Sequence, residues 1–487
     1  MKYGSTRGAA PLVGAAEAIV RGLAPDGGLY VPCEIPQLTA QQVYGLSYAQ
    51  TAQKVLGLFL EEYSPDFLCT AAHDVYDARF DGKAGYVTQV EEGRYALELW
   101  HGPTCAFKDY ALQLMPRLLV EAKRILGDKR TTEILVATSG DTGKAALAGY
   151  AGLPGVKIAV FYPSHGTSEV QRLQMATQEG DNVAVYAVRG NFDDAQTSVK
   201  RAFASADLRE WMSTRDISLS SANSINWGRL VPQIVYYFYS YAQLVEQKKI
   251  APGSTVDFCV PTGNFGDILA GWYAKQMGLP VGKLICASNR NDVLTEFLST
   301  GHYDARRPFY KTTSPSMDIL VSSNLERLLF HVTGSGAQTV QWMEQLAASG
   351  SYTVPPDVLS TIQDTFLCFS ADDEAAAQTI RQVFEKTGYL MDPHTAVAYG
   401  AACGCACSSA ACVVLSTANP YKFPASVLSA LGETVPSDEF DAMRRLLEVS
   451  GLSVPKSLAQ LREKNVRFDR EIEKDEVSAA AQELAEF

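Results

Sequence analysis

The sequence predicts an α/β protein with two lobes of mostly parallel sheet flanked by helices, together with an N-terminal region that is mainly helical. From Arg94 onward, short β-rich runs alternate with longer helical patterns, which is typical of parallel sheets. The runs are almost continuously apolar, as strands covered on both faces are. Seven runs over more than 300 residues exceed one mononucleotide-binding unit, so we expect two lobes with a cleft between them. The runs are RYALELW, EILVATS, KIAVFYP, NVAVYAVRG, TVDFCVPT, KLICASN and ACVVLST.

Three regions are expected along the chain. Residues 1–93 read as helices interrupted by the turn-forming stretch 24–32. Residues 94–430 hold the α/β pattern, with the smaller lobe at about 101–224 and the larger lobe in the remainder. Residues 431–487 are expected to form a helical extension that packs on the larger lobe and ends in an acidic, alanine-rich surface helix.

The composition is that of an ordered, soluble chain. The 487 residues are 47% hydrophobic and 20% charged, which excludes disorder over most of the length. Lys and Arg number 42 against 54 Asp and Glu, a net charge of −12, so no basic surplus exists to neutralise nucleic-acid phosphates. The longest small-apolar stretch, 401–415, is shorter than the roughly 20 residues of a membrane span. We therefore expect a cytoplasmic protein with neither a nucleic-acid nor a membrane partner.

The cysteines and histidines give no support for a metal site. Cys403, Cys405, Cys407 and Cys412 form a cluster, but its C-x-C-x-C-x4-C spacing lacks the C-x2-C pairs of zinc sites. We interpret these cysteines as small residues that pack a crowded junction between a helix and a strand. The six histidines are scattered and form no H-x3-H pair.

Two strand–loop–helix junctions are candidates for anion binding. Their glycines permit close approach of the backbone, and the following helix offers unpaired N–H groups at its positive end. Neither loop matches the P-loop or the dinucleotide-binding pattern, and tight-turn packing is an equal interpretation. The loops consist of Ser139, Gly140, Asp141, Thr142 and Gly143, and of Gly263, Asn264, Phe265, Gly266 and Asp267.

Lys108 is a candidate catalytic residue. It follows the strand ALELW and lies just inside the start of a predicted helix, between Phe107 and Asp109. The positive end of a helix lowers the pKa of an amine, and a desolvated lysine of lowered pKa forms Schiff bases and abstracts protons. The alternative is a solvated lysine paired with Asp109 or Glu121.

Nine segments, in order from Tyr3 to Pro424, carry a resemblance to a known family. They are YGSTRG, APDGGLYVP, HGPTCAFKDYALQ, ATSGDTG, SANSINWGRLVPQI, PTGNFGD, SPSMDI, MDPHTAVA and STANPYKFP. In these segments the chain resembles the threonine synthases, specifically the longer type that is found in fungi and many bacteria. The resemblance implies the tryptophan-synthase-β fold (pyridoxal-phosphate enzymes of fold type II). It also implies conversion of O-phospho-L-homoserine and water to L-threonine and phosphate, by γ-elimination and addition of water at Cβ.

The resemblance assigns a role to each junction. Lys108, in F-K-D, matches the lysine that binds pyridoxal 5′-phosphate as a Schiff base and then acts as the base. The 263–267 loop matches the cradle of the cofactor phosphate, and Thr417, in S-T-A-N-P, matches the hydroxyl residue that faces the pyridine nitrogen. The 139–143 loop matches the loop that binds the substrate's carboxylate.

A further segment matches the site of the substrate's phosphate. Its amides and guanidinium suit phosphate oxygens, which arginine binds in bidentate fashion. Capping of the following helix is the alternative for Ser224 and Asn226. The residues concerned are Asn223, Ser224, Asn226 and Arg229.

The chain departs from the family pattern at one motif. Asn419 stands where the family usually has His, and Tyr421 replaces a small residue. Asn cannot titrate near neutral pH, so proton transfer or phosphate binding by that His would be altered here. His394, in D-P-H-T-A, is retained, and we interpret it as a packed residue at a helix start in preference to a catalytic one.

Two alternatives to the synthase reaction are considered. A phospholyase would eliminate phosphate and release 2-oxobutyrate, and the change at Asn419 is compatible with it. A non-catalytic ligand-binding relative is disfavoured by the intact Lys108, Thr417 and both glycine loops. The oligomeric state, monomer or dimer, does not follow from the sequence.

Overall fold

The N-terminal region of the computed structural model combines three helices with a small antiparallel sheet. The structure describes residues 1–165, 167–405 and 409–486, so Cys407 of the predicted cysteine cluster lies outside the described residues. A capping box at Ser47 starts the second helix, and Ser64 followed by proline starts the third. The elements are β1 (Tyr3–Ser5), α1 (Ala15–Arg21), β2 (Tyr30–Pro32), α2 (Tyr48–Phe59) and α3 (Pro65–Ala72). The antiparallel pairing of β1 with β2 was not expected from the helical pattern.

A hairpin and two helices lead to the smaller lobe. They are β3 (Tyr86–Glu91), β4 (Arg94–Glu98), α4 (Lys108–Leu112) and α5 (Met115–Leu126). Residues 108–126 read as one helical stretch in the sequence, but Pro116 has no N–H to donate, and a new helix begins at Met115. β3 precedes residue 94, where the α/β pattern was expected to begin, and pairs antiparallel with β4.

The smaller lobe is a parallel sheet covered by helices. Strands β7, β6, β5 and β8 lie side by side in that order, all parallel. Nearly every residue of the first three is buried, which explains their apolar runs. The elements are β5 (Thr131–Ala137), α6 (Asp141–Tyr150), β6 (Val156–Pro163), α7 (Glu169–Ala176), β7 (Val183–Val188), α8 (Phe192–Ala204), α9 (Ala206–Ser213) and β8 (Ile217–Ser220).

The larger lobe contains the second sheet, with the strand order β13-β10-β9-β14-β4-β3, parallel except for β3. Its elements after the smaller lobe are α10 (Trp227–Glu246), β9 (Val256–Pro261), α11 (Gly266–Gln276), β10 (Val281–Ser288), α12 (Val293–Thr300), β11 (His302–Asp304), α13 (Leu325–Thr333), α14 (Gly336–Ser349), β12 (Ser351–Thr353), α15 (Pro356–Gln363), β13 (Phe366–Ser370), α16 (Asp373–Thr387), α17 (Pro393–Gly404), β14 (Ala411–Ser416) and α18 (Pro424–Ala430). All seven predicted strands are present, and the two-lobed α/β fold is confirmed.

The topology of the larger sheet brings distant segments to one edge. Strands β9, β14 and β4 are parallel neighbours, so their carboxyl ends meet. β9 leads into the 263–267 loop, β14 into Thr417, and β4 into the segment that reaches Lys108. The three parts of the predicted cofactor site therefore share this edge.

The C-terminal extension does not pack on the larger lobe alone. Helix α19 (Glu439–Ser450) contacts α18, and α20 (Lys456–Ala459) follows it. β15 (Glu471–Ile472) pairs with β7, and α21 (Val477–Glu486) packs on β6 and α8 of the smaller lobe. Helix α21, which was expected to lie on the surface, has a buried apolar stripe at helical spacing. The acidic residues around the stripe make it hard to recognise in the sequence. The stripe consists of Val477, Ala480, Ala481 and Leu484.

The aromatic run on α10 lies mostly in the core. Tyr236, Tyr237, Phe238 and Tyr241 are fully buried, and Tyr239 is half-buried. Among the described helices, none is long and apolar enough to cross a bilayer. In the same part of the chain, no three His, Cys, Asp or Glu side chains are grouped so that they could hold a metal ion.

Candidate active site

Lys108 begins helix α4 beside the segment that carries Thr417. The Phe107 N–H donates to the Thr417 carbonyl at 2.8 Å, and the Asn419 N–H donates to the Cys105 carbonyl at 3.0 Å. Ala106 and Ala418 form an antiparallel bridge between these two bonds. This short ladder of residues 105–107 and 417–419 brings the predicted lysine and hydroxyl residue together, although they are far apart in sequence.

Charged groups from several segments surround the Lys108 amine. Loss of hydration on burial lowers the pKa of Lys108 from 10.5 to about 8. Within this net shift, the carboxylates of Asp141 and Asp267 oppose the lowering, and the cations of Lys422 and Arg229 add to it. Each of these groups comes from a separate predicted motif, so the structure brings the motifs together around one amine. Lys108 is therefore not the solvated lysine of the alternative interpretation, because its side chain is only partly exposed.

Ser316 and His394 hold the Lys108 amine in place. Lys108 Nζ donates to Ser316 Oγ at 3.1 Å, and the Ser316 N–H donates to His394 Nε2 at 3.1 Å. Since Nε2 accepts, Nδ1 carries the proton and donates to Asp392 Oδ2 at 2.6 Å. Both His394 and Asp392 are buried at the start of α17. His394 is thus a packed helix-start residue, as expected, and it also positions Ser316.

The 263–267 loop forms a cradle at the start of α11. Phe265 adopts a left-handed conformation with φ of 62° at the N-cap, and the first N–H groups of the helix have no acceptor within the helix. A Cβ on Gly263 would lie 2.7 Å from the Ser316 carbonyl oxygen, so only glycine allows these two loops to approach. Asn324 shapes the loop by donating from Nδ2 and its backbone N–H to the Asn264 carbonyl.

Asp267 turns its carboxyl group away from the loop. Oδ1 accepts hydrogen bonds from the hydroxyls of Tyr236 and Tyr237 on α10. Oδ2 is buried and has no hydrogen-bond partner among the described residues. Burial raises the pKa of Asp267 to about 7. In the cradle, Asp267 is therefore placed to bind an anion through its backbone N–H and not through its carboxyl group.

Some backbone N–H groups of the 139–143 loop, at the start of α6, already donate hydrogen bonds within the protein. Thr138 Oγ1 accepts hydrogen bonds from the N–H groups of Gly140 and Gly143, at 2.9 and 3.0 Å. These two amides are therefore not available for a substrate carboxylate, contrary to the simple expectation of a fully open loop. Ser139 is exposed and Thr142 half-buried, so both residues remain accessible to a ligand.

Asp141 forms a buried ion pair with Lys422. The Lys422 Nζ lies 2.8 Å from Asp141 Oδ1, and Gln171 also donates to this oxygen at 2.9 Å. Lys422 donates to the Thr104 carbonyl at 2.9 Å as well. Burial alone would raise the pKa of Asp141, but the cations of Lys422 and Lys108, together with the hydrogen bonds from Lys422 and Gln171, hold this pKa well below its usual range. Asp141 thus joins the loop to the 417–422 segment instead of facing a substrate carboxylate.

Arg229 presents a cation with an unused donor. Its Nη1 bonds to the Ala222 carbonyl, and its Nε is buried without a hydrogen-bond partner in the described residues. Burial lowers the pKa of Arg229 to about 10, so it stays charged at neutral pH. Such an orphaned donor suits an anion bound in the cleft.

The other three residues of the predicted phosphate segment differ in what they do. Asn226 caps α10, with Oδ1 accepting from the Gly228 N–H at 2.9 Å and Nδ2 donating to the Ile19 carbonyl at 2.8 Å. Both ends of its amide are engaged, so the capping alternative describes Asn226. Ser224 Oγ accepts from Asn324 Nδ2 at 3.4 Å, and Asn223 is exposed. Ser224 and Asn223 thus remain accessible to a ligand.

Asn419 also serves as a cap. Its Oδ1 accepts from the Tyr421 N–H at 3.0 Å at the start of the short 3-10 helix Pro420–Lys422. Tyr421 is buried and its hydroxyl donates to the Leu452 carbonyl. The substituted motif is therefore tied to the C-terminal extension, and its capping bond needs no titratable group.

Family models match along almost the whole chain. The model described as pyridoxal-phosphate dependent enzyme covers residues 89–416, that of the threonine synthase N terminus covers 2–76, and that of the threonine synthase C-terminal part covers 395–481. Threonine synthase of Pseudomonas aeruginosa is 43% identical over 438 residues, covering 88% of this chain and 90% of that one. The chain belongs to the threonine synthase family. Its cofactor is therefore pyridoxal phosphate, as the resemblance implied.

Two further comparisons place the chain within the threonine synthase family. The crystal structure of pyridoxal-phosphate-bound threonine synthase from Brucella melitensis superposes with a TM-score of 0.89 at 38% identity, covering 100% of this chain and 99% of that one. Threonine synthase-like 1 of Homo sapiens is 38% identical over 442 residues, which are 85% of this chain and 58% of that longer protein. The tryptophan-synthase-β fold type is thereby confirmed.

The residues present fit pyridoxal phosphate. The 263–267 cradle offers helix-start N–H groups to a phosphate, and glycine at position 263 lets this loop lie against the backbone of Ser316. Lys108 is a half-buried amine of lowered pKa within reach of Ser316, and Thr417 lies beside it across the ladder. Arg229 has an unused donor and lies close enough to influence the charge of Lys108, which suits an anionic substrate bound beside the cofactor.

The lowered pKa of Lys108 predicts the pH dependence of cofactor binding. Only the neutral amine attacks an aldehyde, and lowering the pKa from 10.5 to about 8 increases its neutral fraction at pH 7 about 300-fold. We expect the rate of covalent binding of pyridoxal phosphate to the cofactor-free protein to rise with pH and level off above about 8. Stopped-flow absorbance between about pH 6 and 10 measures it. A rate that still rises about tenfold per pH unit between 8.5 and 10 would contradict the lowered pKa.

Several site residues were missed in the sequence. Ser316 and Lys422 carry no local signal for their roles, because their partners, Lys108 and Asp141, are distant in the chain. Asp392 lies two residues before its partner His394 and caps the same helix, so the D-P-H-T-A motif contained a local signal that was overlooked. Ser316 and Lys422 lie within motifs of the family resemblance, SPSMDI and STANPYKFP, which is the only hint the sequence contains.

Proposed function

We propose that the protein converts O-phospho-L-homoserine and water to L-threonine and phosphate. The observation that carries the proposal is the convergence of the 139–143 loop, the 263–267 cradle and Arg229 around the Lys108 amine, whose charge each of them influences. A substrate with an amino group, a carboxylate and a phosphate has one matching site for each of these groups.

The two anionic ends of the substrate are bound by different segments of the cleft. The carboxylate binds the open part of the 139–143 loop, namely the backbone and side chains of Ser139 and Thr142 at the positive end of α6. The phosphate binds Arg229, whose Nε has no partner among the described residues, with Asn223 and Ser224 beside it. Two fixed ends hold the reacting carbons near the amine, which restricts the substrate to one geometry.

Lys108 transfers the protons. With a pKa of about 8, its amine exchanges protons readily near neutral pH, so it can remove the α-proton and later a β-proton. Ser316 Oγ accepts from the amine and keeps it in the cleft, while the buried His394–Asp392 pair keeps Ser316 in place. The Asp141–Lys422 pair holds the substrate-carboxylate loop against the segment that carries Thr417.

Pyridoxal phosphate, when bound, supplies the electron sink that stabilises negative charge next to the substrate nitrogen. Thr417 would place a neutral hydroxyl, and not a carboxylate, at the pyridine nitrogen of the cofactor. A hydroxyl leaves that nitrogen less protonated, which favours retention of charge on the substrate carbons and so the later addition of water.

Product analysis tests this function. We expect the holoenzyme to form threonine and inorganic phosphate in equal amounts from O-phospho-L-homoserine, measured by amino-acid chromatography and a phosphate assay. In water enriched in oxygen-18, the label should appear in the threonine hydroxyl, because water adds at Cβ. Release of 2-oxobutyrate and ammonia as the main products would overturn the proposal in favour of the phospholyase reaction.

A further inference from the structure

A second cavity lies next to the active site, behind the ladder that joins Lys108 to Thr417. It encloses about 780 Å³, within the range of small-molecule sites, which is roughly 300–1,000 Å³. Cys105 and Asn419 line it, whereas Lys108 and Thr417 do not. The ladder of residues 105–107 and 417–419 is therefore a wall shared by the cavity and the cofactor site.

The charges around this cavity favour an anion. Arg79, Lys83 and Lys456 line it, and none of the three forms an ion pair within the described part of the chain. The acidic group in its wall, Glu98, is already bonded to His101 at 2.7 Å. In a protein of net charge −12, unpaired cations that converge on one concave surface indicate a negatively charged ligand. Asp81 also lines the cavity and is exposed, as Lys83 and Lys456 are, so the three cations outnumber the two carboxylates of the lining.

The rest of the cavity lining suits a compact apolar group of a ligand. Trp100 packs on His101 with ring centroids 4.0 Å apart, and its Nε1 donates to Ser416 Oγ at 3.0 Å. Leu390 and Pro420 are buried apolar residues of the same wall. A ligand with one anionic group and an aromatic or aliphatic body would place the first among the cations and the second against this surface.

A hydrogen-bonded chain links the cavity to the catalytic helix. Arg79 Nη1 donates to Gln113 Oε1 at 2.9 Å, and Gln113 Nε2 donates to Asp109 Oδ1 at 3.3 Å. Asp109, directly after Lys108, is fully buried and accepts from Thr104 at 2.7 and 2.9 Å. An anion that draws Arg79 into the cavity competes with the Gln113 bond and so acts on the start of α4.

We propose that this cavity is a second binding site, for a small organic anion with an apolar body, and that its occupancy changes catalysis through Arg79, Gln113 and Asp109. The site is independent of the proposed reaction, because binding to it is measured without substrate.

Binding of 8-anilinonaphthalene-1-sulfonate, an aromatic anion, to the holoenzyme tests the site. We expect the double variant Lys83→Gln/Lys456→Gln to raise its Kd, measured by fluorescence, about fivefold or more. Neither lysine side chain forms a hydrogen bond with a described residue, so their replacement leaves the fold intact. The matched control Lys2→Gln/Lys129→Gln removes two exposed positive charges elsewhere and should leave the Kd within about twofold. Equal Kd values in both double variants and the unmodified chain would overturn the proposal.

The link to catalysis is tested with the same probe at about ten times its Kd. We expect kcat for O-phospho-L-homoserine to change at least about twofold in the unmodified chain. The change should disappear in Lys83→Gln/Lys456→Gln at the same probe concentration. A rise in KM with unchanged kcat would show that the probe binds in the substrate site. No change in either constant would show that occupancy of the cavity does not affect catalysis. Both results overturn the proposal, whereas failure of the reaction itself shows as absent product without any probe.

Discussion

Replacing Lys108 by alanine is expected to reduce threonine formation by more than about 10⁴-fold, because the variant loses both the covalent anchor of the cofactor and the proton-transfer group. The side chain makes one hydrogen bond within the described residues, to Ser316, so the variant should fold normally. The measurement is the initial rate of phosphate release, with far-ultraviolet circular dichroism as the check on folding. The visible absorbance of the bound cofactor should disappear together with activity.

Two matched variants show whether this effect belongs to Lys108. Lys108→Arg keeps the charge but cannot bind the cofactor covalently, so it should be as inactive as the alanine variant. Lys144 is the control, since it is also half-buried with a pKa lowered by burial to about 8, and it bonds to Gln178. Lys144→Met should retain most of the activity. The reverse pattern, with Lys144 essential and Lys108 dispensable, would refute the assignment.

Replacing Lys422 by methionine is expected to cost about 3–5 kcal/mol of folding stability, since it leaves the Asp141 carboxylate buried without its cation. The Lys422 side chain has no exposure, and that of Asp141 is only 5% exposed, so water cannot take over the interaction. Activity should fall as well, because the pair holds the 139–143 loop against the Thr417 segment. Urea unfolding of the holoenzyme measures the loss of stability.

A double-mutant cycle separates the ion pair from general packing. Lys422→Met/Asp141→Asn removes both charges, so it should be at least about 2 kcal/mol more stable than the sum of the single losses implies. Strict additivity of the two single changes would show that Lys422 and Asp141 do not interact across this part of the site.

The parts of the fold and site that follow from local patterns were predictable. The apolar runs identify the seven strands, because a strand covered on both faces needs apolar residues on both. The glycine loops at the starts of α6 and α11, and Lys108 at the start of α4, each sit at a change from strand to helix that the sequence displays. These junctions are local, so no knowledge of the tertiary contacts was needed to find them.

What the sequence does not show are contacts between distant segments. Lys422 pairs with Asp141, and Ser316 joins Lys108 to His394. These residues are far apart in the chain, and no local sequence pattern indicates that they are in contact. β15 was missed because a two-residue strand has no pattern of its own and exists only by pairing with β7. Asp141 was predicted as part of the loop that binds the substrate's carboxylate; the ion pair of its side chain with Lys422 could not be foreseen, because it depends on where Lys422 folds.

Reduction of the holoenzyme with borohydride, followed by peptide mapping, tests most directly whether the cleft around Lys108 is the cofactor site. Borohydride converts the Schiff base between lysine and pyridoxal phosphate into a stable adduct. We predict one phosphopyridoxyl group per chain, on the peptide that contains Lys108. An adduct on Lys144 or Lys422, or a holoenzyme that yields none, would contradict the assignment.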